Sequence, residues 1–220
     1  MNKVVAVVLN YNTAKDSKKC LEYLLKQDYA DFEIVVVDNN SPMNDYQKLE
    51  SDIDTLQSNR IELIRNEINS GFSAGNNIGL RRAKEKDAEW SLVINPDVEL
   101  RDKSYITKMI SAISETHKVA VAASNVILPN GQRQNPMIEP KYWEELLWPI
   151  ESVTRKIRKN NSYLGADQTG YCEKVSGCCF FIRMSFAEKM WVVRGAVCSE
   201  AFLVWGSILG WIYAEERHRG

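Results

Sequence analysis

Metal-binding and membrane signals are scarce in this sequence. It holds only two histidines, His117 and His218, and its five cysteines form no C-x-x-C pair, so the spacing of a zinc site is absent. Reduced thiols are therefore the expected state. No small-residue cleavage site follows the apolar run at residues 4–9, and the longest later apolar stretch, Ala201–Ile212, is too short to span a bilayer. We expect a soluble cytoplasmic protein.

An excess of charge of one sign is also lacking. The 28 basic and 29 acidic residues give a formal net charge of −1, whereas domains that bind nucleic acid usually carry a basic patch or stripe. Nucleic acid is therefore not expected as a partner. Two glycine-rich nucleotide loops are missing as well, because no G-x-G-x-x-G follows the first apolar run and no G-K-[ST] follows the glycines near residue 75. These absences argue against a dinucleotide-binding Rossmann domain and against a Walker A loop.

The sequence does contain an alternation of short apolar runs and helical segments. Apolar runs rich in β-branched residues predict strands at residues 4–9, 32–37, 61–64, 92–94 and 119–123. Polar or amphipathic segments between them predict helices, and the one before the fourth strand covers residues 80–86. This alternation predicts an α/β fold, a doubly wound, mostly parallel sheet with helices on both faces. After residue 124 the regular alternation stops, although residues 175–183 again resemble a strand.

Polar clusters follow three of the predicted strands: Asn10-Tyr11-Asn12, Asp38-Asn39-Asn40-Ser41 and Asn95-Pro96-Asp97. The carboxyl ends of parallel strands share one edge, where ligands bind in open α/β sheets. A nucleotide suits such an edge, with Asp38 as an acceptor for a base N–H or a ribose hydroxyl and Tyr11 as a stacking ring. Asp97 offers hard oxygen ligands for Mg²⁺ or Mn²⁺. Each cluster alone is also an ordinary turn, and the coincidence of three favours a site.

A segment rich in asparagine and glycine, residues 66–79, adds to this expectation. Gly71 and Gly75 permit close approach of the backbone, and the segment leads into a predicted helix. A helix that begins at such a loop suits phosphate or sugar hydroxyls. The loop by itself is a weak signal, since the same residues make common turns.

Four of these motifs occur in a recognisable order. They are V-V-L-N-Y-N at 7–12, V-V-V-D-N-N-S at 35–41, N-S-G-F-S-A-G-N-N-I-G at 69–79 and I-N-P-D-V at 94–98. Together they resemble the N-terminal half of family-2 glycosyltransferases with a GT-A fold, of the rhamnosyltransferase-like kind. The resemblance implies one GT-A domain over residues 1–220, with a nucleotide-sugar-binding half at 1–124 and an acceptor-side half with an atypical tail at 125–220.

The resemblance also implies an activity and its partners. The expected reaction is an inverting transfer of a sugar from a dTDP- or UDP-linked donor, with Mg²⁺ or Mn²⁺, to a glycan or lipid-linked acceptor in surface polysaccharide synthesis. Asp97 would carry the metal, because Asn95-Pro96-Asp97 stands where the family has its D-x-D signature and only the last carboxylate is present. Donor-binding roles fall on Asn10, Tyr11, Asn12, Asp38, Asn40, Gly71, Asn76, Asn77 and, as a weaker neutral neighbour of the metal, Asn95.

The sequence departs from the family pattern where the catalytic base belongs. In the family, an acidic pair in a segment like G-G-F-D-E-x-F-F-L-Y-x-E-D supplies the base, whereas residues 190–207 here lack that pair. Glu200 is the nearest acid and the candidate base, and the alternative is a solvated surface acid. Trp143 and Trp148 have two interpretations as well, stacking on acceptor sugars or sealing a loop onto the core.

Two other functions follow if the tail is altered or truncated, or if the resemblance misleads. The first is a binding module that keeps the donor site but transfers weakly or not at all. The second is a sugar nucleotidyltransferase, which would need a glycine-rich, basic loop after the first strand; residues 10–14 supply neither feature. Exposed apolar residues in the tail fit either a homodimer contact or peripheral docking to the inner face of the membrane.

Overall fold

The computed structural model of the chain describes residues 2–114, 119–128, 130–131 and 175–194. The chain divides into two compact units, and the first contains the described residues 2–114, 119–122 and 177–194. The second contains residues 123–128, 130–131 and 175–176 of the described part. The predicted base Glu200 and the aromatic residues Trp143 and Trp148 lie outside the described residues.

Among the described residues, six strands form one sheet in the first unit. They are β1 (Val4–Asn10), β2 (Phe32–Asp38), β3 (Ile61–Arg65), β4 (Trp90–Ile94), β5 (Val121–Ala122) and β6 (Cys179–Arg183). Their order across the sheet is β3-β2-β1-β4-β6-β5. The pairs among β1 to β4 are parallel, and β6 is antiparallel to both β4 and β5. The predicted mostly parallel α/β sheet is therefore confirmed, with β6 as the one reversed strand.

Five helices are described: α1 (Ala14–Leu25), α2 (Met43–Leu56), α3 (Phe72–Glu85), α4 (Tyr105–Ser114) and α5 (Met184–Arg194). Side chains alternate between the two faces of a strand. Val4, Ala6 and Val8 of β1 belong to a core cluster that includes Leu21 of α1 and Ile106 of α4. On the opposite face, α3 packs against Val7 and Leu9 through its glycines. Helices therefore cover both faces, as predicted, and none described here is long and apolar enough to cross a bilayer.

The boundaries of α3 correct one prediction. The sequence predicts a loop up to residue 79 and a helix over residues 80–86, whereas the helix begins at Phe72. Glycine and asparagine have low helix propensity, and packing overrides it here. A Cβ atom on Gly75 would lie 2.4 Å from Leu9 Cδ1, and one on Gly79 would lie 2.3 Å from Val7 Cγ1. The two glycines thus let the helix lie directly on the sheet.

Candidate functional site

The three polar clusters lie at one edge of the sheet. Asn10, the last residue of β1, pairs in register with Asp38, the last residue of β2, and Asp38 pairs with Arg65 at the end of β3. Ile94 at the end of β4 lies opposite Cys179 of β6. Because β1 to β4 are parallel, their carboxyl ends meet at the same edge. The convergence that the sequence predicts is therefore present.

Asn10 is a buried joint between the first two strands and α1. Its Nδ2 donates to Asp38 Oδ1 at 2.8 Å and lies 3.1 Å from Ser41 Oγ. Its Oδ1 accepts from Thr13 Oγ1 at 3.0 Å and from Ser17 Oγ at 2.8 Å. Both the N–H groups and the oxygen of this amide are bonded to protein groups, and these bonds hold the ends of β1 and β2 together. Asn10 therefore supports the site from within the protein.

Replacing Asn10 by alanine is expected to lower the free energy of unfolding by about 2–3 kcal/mol, because buried groups that lose a hydrogen-bond partner keep their desolvation cost. Asp38 and Ser17 are both fully buried partners of Asn10. Urea unfolding followed by circular dichroism measures the change. The matched control is Asn44→Ala on the exposed surface of α2, which we expect to stay within about 0.5 kcal/mol of the unsubstituted chain. Equal midpoints for both variants would contradict the structural role of Asn10.

Asp38 is enclosed at the end of β2. Its side chain is 0% exposed, Oδ1 accepts from Asn10, and Oδ2 accepts from the backbone N–H of Ser41 at 3.1 Å. The guanidinium Nε of Arg65 lies 3.9 Å from Oδ2. The charge of the carboxylate is therefore balanced inside the rim of the sheet. Its predicted contact with a base or ribose stays a prediction.

The turns after β1 and β2 use asparagines in the left-handed region. Asn12 has φ 56° and Asn40 has φ 63°, a conformation that asparagine adopts more readily than most residues. Asn12 also donates its backbone N–H to Ser41 Oγ at 2.9 Å. Tyr11, between β1 and this turn, is 51% exposed. The turns thus present an aromatic ring at the edge, as base stacking would require.

Hydrogen bonds between asparagine side chains, which the sequence does not predict, connect this edge to the start of α3. Asn39 Nδ2 donates to Asn69 Oδ1 at 2.8 Å and to Gly71 O at 3.2 Å. Asn66 Nδ2 donates to Asn39 Oδ1 at 3.0 Å. Gly71, with φ 90°, precedes the first residue of the helix. In the sequence, these asparagines were visible only as polar residues of turns, and in the structure their side chains fix the loop before α3.

The first turns of α3 carry buried polar side chains, and two of their oxygen atoms lack a hydrogen-bond partner within the described part of the chain. Asn76 and Asn77 are both buried in the helix, rather than in the predicted loop. Asn76 Nδ2 donates to Phe72 O at 3.0 Å. Among the described residues, Ser73 Oγ and Asn76 Oδ1 have no hydrogen-bond partner. Backbone N–H groups at a helix N-terminus also lack intrahelical partners and favour negative charge, so this end of α3 suits an anionic ligand.

Asp97 lies on a turn after β4. The backbone N–H of Val98 donates to Asn95 O at 3.1 Å, which closes the turn around Pro96. The N–H of Asn95 donates to Cys178 O at 2.8 Å and ties the turn to the residue before β6. Asp97 itself is exposed and Asn95 is half-buried. The structure therefore presents this carboxylate to solvent from a turn that backbone bonds hold in place.

Charged and sulfur-containing side chains contact this turn and the residues that follow it. Hydrogen bonds from Lys19 and then Arg101 lower the pKa of Glu99 to about 2. Burial, with smaller effects from the charges of Cys179 and Asp97, raises the pKa of the Cys20 thiol to about 12. A thiol with so high a pKa is a poor nucleophile. These groups support the turn and leave Asp97 as its accessible anion.

Within the described ranges, no group of three or more His, Cys, Asp or Glu side chains is placed to hold a metal ion. The chemistry of the donor set still fits a hard divalent cation. Mg²⁺ is usually held by one or two carboxylates together with substrate phosphates and water. An exposed Asp97 with the amide of Asn95 nearby in the chain matches that kind of site, provided a phosphate ligand completes it.

Comparisons with known proteins give a matching family model and a curated relative. The model of a family described as Glycosyl transferase family 2 matches residues 5–191. One relative is Glycosyltransferase GlyG from Streptococcus pneumoniae serotype 4 (strain ATCC BAA-334 / TIGR4). It is 31% identical over 98 residues, which are 44% of this chain and 31% of that protein.

Two solved structures share the fold. The crystal structure of S. aureus TarS 1–349 in complex with UDP has a TM-score of 0.64 and 18% identity, covering 97% of this chain and 55% of that one. The mannosyltransferase PcManGT from Pyrobaculum calidifontis, in complex with GDP-Man and Mn²⁺, has a TM-score of 0.58 and 16% identity, covering 86% and 46%. The chain thus spans about half of these structures and a third of the relative. The predicted GT-A type of fold is confirmed.

Proposed function

The chain belongs to glycosyl transferase family 2, and from this premise we propose that it binds a nucleotide-linked sugar and transfers the sugar, with inversion, to a glycan or lipid-linked acceptor. The proposed donor is UDP- or dTDP-linked, as the rhamnosyltransferase-like motifs suggest, and the proposed setting is surface polysaccharide synthesis at the inner face of the membrane. One observation carries the proposal: the tips of β1, β2 and β4 meet at one edge of the sheet, where Asn39 also contacts Gly71 at the start of α3.

Each part of such a donor has a matching surface at this edge. The half-exposed ring of Tyr11 suits the face of a base, with Asn12 and Asn40 forming the turns around it. The backbone N–H groups at the start of α3, after Gly71, suit a diphosphate because helix N-termini favour negative charge, and the unpartnered Asn76 Oδ1 suits a sugar hydroxyl that donates to it. Asn77, also buried in α3, is proposed to act beside it. The family match favours this transferase over the nucleotidyltransferase considered from the sequence.

The residues near β4 complete the proposed chemistry. Asp97 would hold Mg²⁺ or Mn²⁺, with Asn95 as a weaker neutral ligand. When bound, such an ion neutralises charge that develops on the leaving diphosphate. A carboxylate must take the proton of the acceptor hydroxyl as that oxygen attacks the sugar. Glu200 is the proposed base, and it lies outside the described residues.

Isothermal titration with UDP and dTDP, with and without Mn²⁺, tests the donor site, and a donor-hydrolysis assay tests turnover. We expect binding that is tighter with Mn²⁺ and measurable hydrolysis of the matching nucleotide sugar. Metal-dependent binding without turnover would favour a donor-binding module instead. Failure of both nucleotides to bind would overturn the proposed UDP- or dTDP-linked donor, for the transferase and for the module alike. In the same assays, Glu200→Gln should abolish turnover and leave binding unchanged if Glu200 is the base.

A further inference from the structure

Arg65 is a cation at the rim of the site that the proposed function does not yet use. It is the last residue of β3, in register with Asp38 of β2, and its side chain is 30% exposed. We infer that Arg65 contacts the base of the donor nucleotide and selects bases with a carbonyl at pyrimidine position 4 or purine position 6. Uracil, thymine and guanine have that carbonyl, whereas cytosine and adenine carry an amino group there. This inference rests on the proposed function and adds the base selectivity of its donor site.

The guanidinium group of Arg65 is held in a fixed orientation. Its central carbon lies 4.2 Å from the centre of the Tyr46 ring, a stacked arrangement that favours arginine. The hydroxyl of Tyr46 lies 3.3 Å from Glu50 Oε1, which fixes the ring in turn. The Nε atom faces Asp38 Oδ2 at 3.9 Å. A planar group held on two sides loses little freedom when a ligand binds.

The outer nitrogens of Arg65 have only weak acceptors. Nη1 lies 3.3 Å from Met43 Sδ, a thioether, and Nη2 lies 3.5 Å from Ser41 O. By contrast, Arg82 donates to the carboxylates of Glu62 and Glu85, each at 2.8 Å. Thioether sulfur is a weak acceptor, and a contact of 3.5 Å is long for an N–H···O hydrogen bond. Arg65 therefore keeps donors for a better acceptor at the rim.

The surroundings favour a base carbonyl over a phosphate as that acceptor. The buried Asp38 carboxylate balances the charge of Arg65 at 3.9 Å, which weakens attraction for a phosphate but leaves the N–H donors free for a neutral oxygen. Met43, whose sulfur contacts Arg65, and Tyr11, which follows β1, are exposed by 55% and 51% and offer apolar surface to a base. Asn10, next to Tyr11, and Arg65 are two strands apart, about 10 Å, a span that a base edge and its side-chain contacts fill.

The same geometry assigns Asp38 a positioning role. Its oxygens already accept from Asn10 and the Ser41 amide, and its side chain is wholly buried. Arg65, which is 30% exposed, therefore offers accessible N–H donors at this end of β2 and β3, and Asp38 acts on a base through Arg65. This assignment differs from the direct contact that the family resemblance implies for Asp38.

Isothermal titration with UDP, dTDP, GDP, CDP and ADP in the presence of Mn²⁺ tests the inference. The unsubstituted chain should bind at least one of UDP, dTDP and GDP more tightly than both CDP and ADP. Arg65→Leu should weaken binding of the preferred nucleotide about 10- to 100-fold, the range for a hydrogen bond to a charged group, and should change CDP binding much less. Arg65→Lys keeps the charge beside Asp38 and should still reduce the ratio of affinities. Arg81→Leu, an exposed position on α3, is the matched control and should change neither value.

Four results would overturn the inference. Equal losses for the preferred nucleotide and CDP in Arg65→Lys would mean that Arg65 holds a phosphate or only supports the fold. An unchanged affinity ratio in both Arg65 variants would leave the base contact to another residue, with Asp38 the first candidate. Preference of the unsubstituted chain for CDP or ADP would contradict the selectivity, while the donor site itself would stand. Failure of all five nucleotides to bind would remove the proposed function and this inference together.

Discussion

Gly79→Ala is expected to lower the free energy of unfolding by about 2–3 kcal/mol, the range for adding a methyl group to a packed core. The new Cβ would lie 2.3 Å from Val7 Cγ1 and 3.0 Å from Val7 Cγ2. Val7 is fully buried in β1, between β2 and β4, so it has no room to retreat and α3 must move away from the sheet. The better helix propensity of alanine, about 1 kcal/mol, offsets only part of this cost. Urea unfolding measures the result.

A control and a compensating substitution distinguish the effect of overpacking from the general effect of replacing a glycine by alanine. A Cβ on Gly177 would meet no atom within 4 Å, so Gly177→Ala should change the free energy of unfolding by less than about 0.5 kcal/mol. Combining Val7→Ala with Gly79→Ala removes the colliding methyl groups, and the double variant should lose less than the sum of the single losses. Additive losses, or a stable Gly79→Ala variant, would show that α3 does not lie on Val7 as described.

The close contact between Gly79 and Val7 explains why the sequence does not predict the start of α3, although it predicts the strands. The apolar run at residues 4–9 is evident in the sequence because the strand that it forms is buried along its whole length. The observed strand, Val4–Asn10, is one residue longer than predicted. The stretch from Phe72 to Gly79 carries four small residues and two asparagines, a composition typical of loops. Its helical state depends on close packing against β1, a contact between segments far apart in sequence. Local propensity cannot report that contact.

The position of β6 shows the same limit. Residues 175–183 resemble a strand, but nothing in their pattern indicates that β6 lies between β4 and β5 in the reverse direction. Pairing partners depend on long-range geometry, whereas apolar patterning reports only that a segment is buried. The prediction of a mostly parallel sheet holds because four of the strands are joined by helical connections in the first 94 residues.

For the candidate site, the sequence predicts location better than the state of individual side chains. Polar residues that follow buried strands indicate an edge, and Asn10 and Asp38 do lie there in register. Their mutual hydrogen bond and complete burial are not evident from the sequence, and neither are the bonds of Asn10 to Ser41 in the turn and to Ser17 in α1. Arg65 was missed because one arginine among 28 basic residues carries no signal of its own. Its place at the end of β3, matching that of Asp38 in β2, becomes visible only from the pairing.

Asp97→Asn is expected to lower metal-dependent turnover, as kcat/KM for the donor, by about 100-fold or more, because a bound metal contributes several kcal/mol of charge stabilisation. The Mn²⁺ affinity in the presence of UDP should fall with it, measured from free Mn²⁺ by electron paramagnetic resonance. Stability should stay within about 0.5 kcal/mol, since Asp97 is exposed and a backbone bond from Val98 to Asn95 closes its turn. The control is Asp87→Asn, an exposed carboxylate at the opposite end of β4.

The expected effect is large because, in the part of the chain that the structure describes, no anion next to Asp97 on this turn is free to replace it. Asn95 is neutral, and the carboxylate of Glu99 already accepts from Lys19, Arg101 and the Tyr23 hydroxyl. Moving Glu99 to a metal would leave Lys19 and Arg101 without their partner, next to a cation. Among the described residues of this turn, Asp97 therefore supplies the carboxylate that is accessible to a cation. If Asp97→Asn binds Mn²⁺ and UDP as tightly as the unsubstituted chain, Asp97 does not hold the metal.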